Sequence, residues 1–417
     1  MKALFLLASL GAAAVPGWEA PLEIAAGRGD KGPWRQNASR YDYVDDATVA
    51  AAGAAAPGGG HLMAWADQKG KDVWLRHIGA GGRPGPAVNV SRSPATFSWL
   101  PRIAVDPARA GRVYLLWQEI IFSGGSHGGD ILFAASHDGG QTFAAPRNLS
   151  RSIGGDGKGR LDRRTWSNGS LDLAVGADGT LFAAWTEYHG ALWLARSRDG
   201  GAAFSAPRRI AGDGARPARG PSLAAGPGGA IHLAWSVGED PQAAIRVAAS
   251  RDNGASFAAP QLVGAGEGRP DAPRLASAGG RLHLVYARQR APGARSDIRY
   301  TSATGGRFGA ARTLSAGGAA YPMLAGDGGT GLAVAWENLG ADGRAQSLGF
   351  VRSVDAGHRF STPSVVPGSA APAGGSNGSQ QGLLGQKLAL GRDGRIAIVN
   401  SSLQPGVRSR VWLMRGR

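Results

Sequence analysis

Apolar residues along this 417-residue chain come in short runs, and almost every run is bounded by Gly, Pro, Asp or Asn. Arg112-Val-Tyr-Leu-Leu-Trp117, Leu181-Phe-Ala-Ala-Trp185 and Ile231-His-Leu-Ala-Trp235 are typical. Runs this short, flanked by residues that favour turns, predict β-strands rather than helices. The 68 Gly and 24 Pro, with only 18% charged residues, point the same way, because both residues interrupt helices and serve turns.

The runs repeat. A unit of roughly 50 residues has a first half of two strands, the second ending on an aromatic residue, a period typical of propellers. Those endings are Trp65, Trp117, Trp185, Trp235, Tyr286 and Trp336, and a weaker seventh copy runs from Gln386 to Asn400. The second half holds a third strand, a glycine turn and a fourth strand. Its turn carries Ser-x-Asp-x-Gly-x-x-Phe at Ser136, Asp138, Gly140, Phe143; at Ser197, Asp199, Gly201, Phe204; at Ser250, Asp252, Gly254, Phe257; and at Ser353, Asp355, Gly357, Phe360. A fifth copy at Thr301, Ala303, Gly305 and Phe308 lacks the Asp. The spacing lets the Asp carboxylate accept backbone N–H groups a few residues on, while Gly supplies positive φ and the Phe is expected to fold back beneath its turn.

This motif is the Asp box, or bacterial neuraminidase repeat, and through it nearly the whole mature chain resembles the sialidase superfamily of propellers. The resemblance implies an all-β fold: a single β-propeller of four-stranded antiparallel blades with Asp-box turns on the blade periphery, where the Asp residues are structural. Seven first halves favour seven blades, with six, the usual sialidase form, as the alternative. The seventh unit ends after its third strand, so closure needs a partner, and Leu22-Glu-Ile-Ala25 is available to supply the fourth strand. Two longer connections, 151–168 and 367–385, are expected on the face that carries the axial funnel.

The first 20 residues, with Lys2, an apolar run over 3–15 and small residues at Ala12 and Ala14, read as a signal peptide, leaving 21–417 as the propeller. No later stretch has the roughly 20 apolar residues of a membrane helix, so no integral membrane segment is expected after cleavage. Cysteine is absent, which removes disulfides, thiolate metal sites and cysteine nucleophiles, and fits a secreted or periplasmic protein. The net charge of +16 suits a glycan or other acidic polymer as partner. Its Arg residues are scattered without interleaved aromatics, so nucleic acid is not expected. A monomer is expected, and no cofactor or metal is called for.

Sialidase-like hydrolysis, as the resemblance implies it, needs an Arg cluster for a substrate carboxylate, a Tyr nucleophile activated by Glu, and an Asp that handles the proton. Residues at matching places, the starts of first strands and the ends of second strands, are Tyr321, Glu187, Glu119 and Asp271 as catalytic candidates. Arg102, Arg219, Arg274, Arg288 and Glu337 are the substrate-binding candidates. Pro101-Arg102-Ile103-Ala104 departs from the Phe- or Tyr-Arg-Ile-Pro segment of active sialidases. An acidic stretch with Asp42, Asp45 and Asp46 precedes the first strong repeat as a rim cluster or a source of acid. Glu after the blade aromatic also serves as a bond to the next blade, and His232 and His283 read as packing residues. Three functions stay open: a retaining exo-α-sialidase-like hydrolase, a non-catalytic binding propeller for a glycan or protein, and an envelope scaffold.

Overall fold

The computed structural model describes residues 17–31, 41–56, 58–93, 96–123, 126–150, 170–187, 190–237, 244–372, 375–377 and 385–417. The signal-like run over 3–15, the 151–168 connection, Tyr188 and residues 378–384 lie outside them. Seven antiparallel sheets form a ring, so the seven-blade expectation holds and the six-blade alternative does not. Inner to outer, blade 2 is Phe97–Val105, Val113–Ser123, Ser126–Ser136 and Arg147–Asn148, and the other blades repeat that order. The inner strands are Val44–Ala51, Phe97–Val105, Leu171–Val175, Arg219–Ala225, Arg269–Ala278, Ala319–Gly326 and Leu388–Leu390; each touches the next, and the last touches the first. Blade 7 takes its outer strand from the N-terminal side: Leu22–Gly27 pairs with Arg408–Gly416, Leu22 opposite Leu413. This pairing covers an edge that would otherwise lie open.

The core is divided into seven slabs at the blade interfaces, the one between blades 2 and 3 also taking in Tyr43 of blade 1 and Leu403 of blade 7. Between blades 1 and 2, for example, Leu62 and Leu75 meet Ile103, Leu115 and Trp117, all within 1% of complete burial. A blade therefore buries little by itself and gains its hydrophobic free energy by stacking.

The Asp boxes belong to this stacking. In blade 2, Ser136 Oγ donates to Asp138 Oδ1 (2.7 Å) and accepts from Gly140 N (2.8 Å), while Asp138 Oδ1 accepts from Thr142 N (2.9 Å). The other three full copies repeat the geometry, as at Ser250, Asp252 and Gly254. Gly201 has φ 93°, and a Cβ there would come within 2.5 Å of Phe133 in the preceding blade. Glycine thus serves close approach as well as conformation. The Phe also reaches further than its own turn: Phe204 meets Phe133 of blade 2 edge-on at 4.8 Å, and Phe360 of blade 6 meets Tyr300 of blade 5 at 4.9 Å. The copy without Asp closes differently, as a hairpin pairing Ala303 with Phe308 around Gly305 and Gly306, both at positive φ.

Candidate functional site at the propeller axis

In blades 1, 2, 4, 5 and 6 the inner strand carries the same irregularity. Register slips between Asp45 and Thr48, Trp99 and Arg102, Arg219 and Ser222, Asp271 and Arg274, and Ala320 and Met323. At the centre of each slip the backbone is left-handed: Asp46 (φ 51°), Leu100 (53°), Gly220 (58°), Ala272 (52°) and Tyr321 (50°). Such a bulge turns the strand and re-aims the side chains beside it. Four of the five centres are not glycine, and each costs of order 1 kcal/mol or more that the closed ring must offset.

Two residues past the bulge, the chain regains register at the residue before the blade aromatic. Thr48 faces Ala64, Arg102 faces Leu116, Asp172 faces Ala184, Ser222 faces Ala234, Arg274 faces Val285 and Met323 faces Ala335. In blade 7 Lys387 holds this place, its carbonyl accepting from Val399 N. One residue per blade thus forms a ring about the axis. Several ring members bridge to a neighbour: Asp172 Oδ2 accepts from Leu223 N (2.7 Å), Ser222 Oγ accepts from Leu275 N (3.0 Å), and Thr48 Oγ1 donates to Gln386 O (2.8 Å).

The ring collects charge. Arg102 is 2% exposed, Arg274 and Asp172 are half-buried, and the three come from blades 2, 5 and 3. Burial lowers Arg102 to about 10, and Arg274 adds to the fall, while Asp172 and Asp46 oppose it. Arg274 is lowered by burial against the pull of Asp172 and Asp271. Asp172 is raised above the ordinary carboxylate range because burial outweighs the stabilisation by Arg274 and Arg102. Both guanidinium groups thus feel the charge of one internal carboxylate.

A second group lies toward blade 6. Tyr321 is half-buried on its bulge, and its phenol is pushed up to about 12 by burial and by the charges of Asp271 and Glu337. Asp271 is exposed and accepts from Ser236 Oγ (2.7 Å). Glu337, fully buried, accepts from Lys387 Nζ at 2.6 Å, and Nζ also donates to Asn400 Oδ1 (3.3 Å). The Glu after the blade aromatic here does bond to the next blade, and it is also one of the two acids acting on Tyr321.

Arg102, Arg274, Tyr321, Asp271 and Glu337 are therefore linked through neighbouring charges. Arg219, 6% exposed, begins the inner strand of blade 4, and its carbonyl accepts from Ser236 Oγ (3.3 Å). Arg288 is engaged elsewhere, with Asp297 at 2.6 Å and Glu267 at 3.6 Å. Glu119 accepts from Thr96 Oγ1 and, at 3.3 Å, from Trp117 Nε1, and burial raises its carboxyl. Glu187 lies half-buried at the turn closed by Gly190 N donating to its carbonyl. His283 bonds Tyr300 Oη (2.8 Å) and Ala278 O (3.0 Å), as a packing residue does. The sequence reading missed Asp172 and Lys387. Among the described residues no group of three His, Cys, Asp or Glu is placed to hold a metal, and no helix is long and apolar enough to cross a membrane.

No protein-family model and no curated protein matches the sequence. Solved structures do share the fold. A polysaccharide lyase of the PL25 family, an ulvan lyase bound to -[GlcA(1-4)Rha3S]-, superposes with TM-score 0.58 and 10% identity over 93% of this chain and 94% of its own. The GH74 enzyme of Niastella koreensis gives TM-score 0.53 and 16% identity over 93% of this chain and 54% of its own. The Hadza microbial sialidase Hz136 gives TM-score 0.51 and 14% identity; the match covers 71% of this chain and 63% of that enzyme's length. At these identities the likeness establishes a sialidase-like propeller fold.

Proposed function

We propose that the chain is a glycan-acting propeller that takes a carboxylate-bearing sugar in its axial funnel and hydrolyses the glycosidic bond with retention, as exo-α-sialidases do. The observation that carries this reading is the Tyr321 phenol, held on a strained bulge under the charges of Asp271 and Glu337, with Arg274 on the adjacent inner strand of blade 5 and Arg102 on that of blade 2. In this reading the guanidinium groups bind the sugar carboxylate. Tyr321 oxygen attacks the anomeric carbon as Glu337 takes the phenol proton, the glycosidic bond breaks and its leaving oxygen takes a proton from Asp271 in its acid form. Asp271 then takes a proton from the water that attacks the anomeric carbon, and Glu337 returns its proton to the departing Tyr321 oxygen. A phenol raised to about 12 is protonated at neutral pH, so attack needs that base. The sialidase and the ulvan lyase among the neighbours named above support a glycan as the substrate class. The signal-like first 20 residues and the lack of cysteine support an exported protein.

One observation favours a second reading, binding without cleavage: Lys387 already pairs Glu337. Fluorophore release from a 4-methylumbelliferyl sialoside separates the two. Hydrolysis predicts turnover that falls at least about a hundredfold in Tyr321→Phe and in Asp271→Asn. Absence of turnover in the unsubstituted chain, with the sialoside still bound, removes the hydrolase and leaves the binding propeller.

A further inference from the structure

On the side of the disc, a groove of about 450 Å3 runs between blades 3 and 4. One wall is the outer strand of blade 3, Arg208–Ala211, with the turn that follows it, from Gly212 through Arg216. The other is the second and third strands of blade 4, Ile231–Ser236 and Ile245–Ser250, with Phe257. Its upper end is the connection into Arg219–Ala225, so it opens at the rim of the face where the inner strands begin and Tyr321 stands.

The groove is unbalanced in charge. Arg208, Arg216 and Arg246 line it against one carboxylate, Asp213. That carboxylate is spent on its own turn, accepting from Ala215 N (2.9 Å) and Arg216 N (2.8 Å). Arg246 stands opposite Trp235 across the strand pair, and its Nη1 is buried with no hydrogen-bond partner among the described residues. A buried guanidinium nitrogen without an acceptor is costly, and an incoming anion is a natural remedy. Ile210, Trp235 and Phe257 supply an apolar floor beneath the cations. Three guanidinium groups facing one spent carboxylate fit a chain whose sugar units carry carboxylates or sulfates. Nucleotide bases would need exposed stacking platforms, whereas Trp235 is 3% exposed and Phe257 half-buried.

We infer that this groove binds an internal segment of a linear polyanionic polysaccharide, extending from the funnel mouth down the side of the disc between blades 3 and 4. The inference deepens the substrate class proposed above: the acidic sugar in the funnel is the end of a charged chain. It does not require that the funnel cleave.

The test titrates the full chain with polygalacturonate at fixed ionic strength and compares Arg246→Gln, the exposed pair Arg208→Gln with Arg216→Gln, and the exposed Arg307→Gln, which lies outside the groove. The expected result is about tenfold weaker binding in Arg246→Gln and in the exposed double variant, with a shallower salt dependence, and little change in Arg307→Gln. The exposed pair keeps the outcome readable if Arg246→Gln folds poorly. Unchanged affinity in the double variant overturns the groove. Equal binding of single-stranded DNA that falls in parallel overturns it too, since the surface is then a general polyelectrolyte binder. Loss of fluorogenic turnover alone touches the funnel and leaves this result standing.

Discussion

Asp172 decides how the axial cations behave. Its carboxyl feels the charges of both Arg274 and Arg102, and burial holds it above the ordinary carboxylate range in spite of both. A substrate carboxylate must compete with it, so the arginines are preorganised and at the same time partly neutralised. Asp172→Asn removes the competitor and keeps the shape. Binding of N-acetylneuraminic acid, measured by titration calorimetry, is then expected to tighten about tenfold, an effect of order 1.4 kcal/mol. Weaker binding by the same variant implies that Asp172 itself contacts the sugar. The Lys387–Glu337 pair is the complementary device. Both side chains are fully buried, and at 2.6 Å each compensates the other's desolvation.

At the scale of elements, the bulged inner strand and the Asp box do opposite jobs at opposite edges of a blade. The bulge places chemistry at the axis, and the box fastens the rim to the preceding blade. If Phe204 works across the blade boundary, Phe133→Ala and Phe204→Ala should not add: a double-mutant cycle in urea unfolding is expected to give a coupling of about 1 kcal/mol. Additive costs would mean that Phe204 serves only its own turn. The box was legible in the sequence because its four residues are fixed in type and spacing. The second half of its role was not, because the ring that Phe204 meets lies in the previous repeat, 71 residues earlier at Phe133. The axial ring carried a quieter signal. Thr48-Val-Ala, Arg102-Ile-Ala, Asp172-Leu-Ala, Ser222-Leu-Ala, Arg274-Leu-Ala, Met323-Leu-Ala and Lys387-Leu-Ala share an aliphatic residue and an alanine after a variable one. Aligning the units on that tripeptide finds Asp172 and Lys387, which a search limited to Arg, Tyr and Glu passes over. Arg288 lies outside this register, and its partners Asp297 and Glu267 stand 9 and 21 residues away in sequence, so nothing local marks it as an ion-pair residue.

The molecule as a whole is a closed stack of seven blades with its core divided among the interfaces, and the ring creates the site because each blade contributes one residue at matched height. No blade holds more than a fragment: the guanidinium groups come from blades 2 and 5, the internal carboxylate from blade 3, the phenol and its buried acid from blade 6, and the lysine from blade 7. Function read from any single repeat therefore fails, whereas register around the axis makes the fragments one site. The most direct test is a crystal structure of the chain soaked with 2-deoxy-2,3-dehydro-N-acetylneuraminic acid. The expected result is a sugar carboxylate within about 3 Å of the Arg274 and Arg102 guanidinium groups, with the anomeric carbon facing Tyr321. A funnel left empty at saturating ligand would contradict the account.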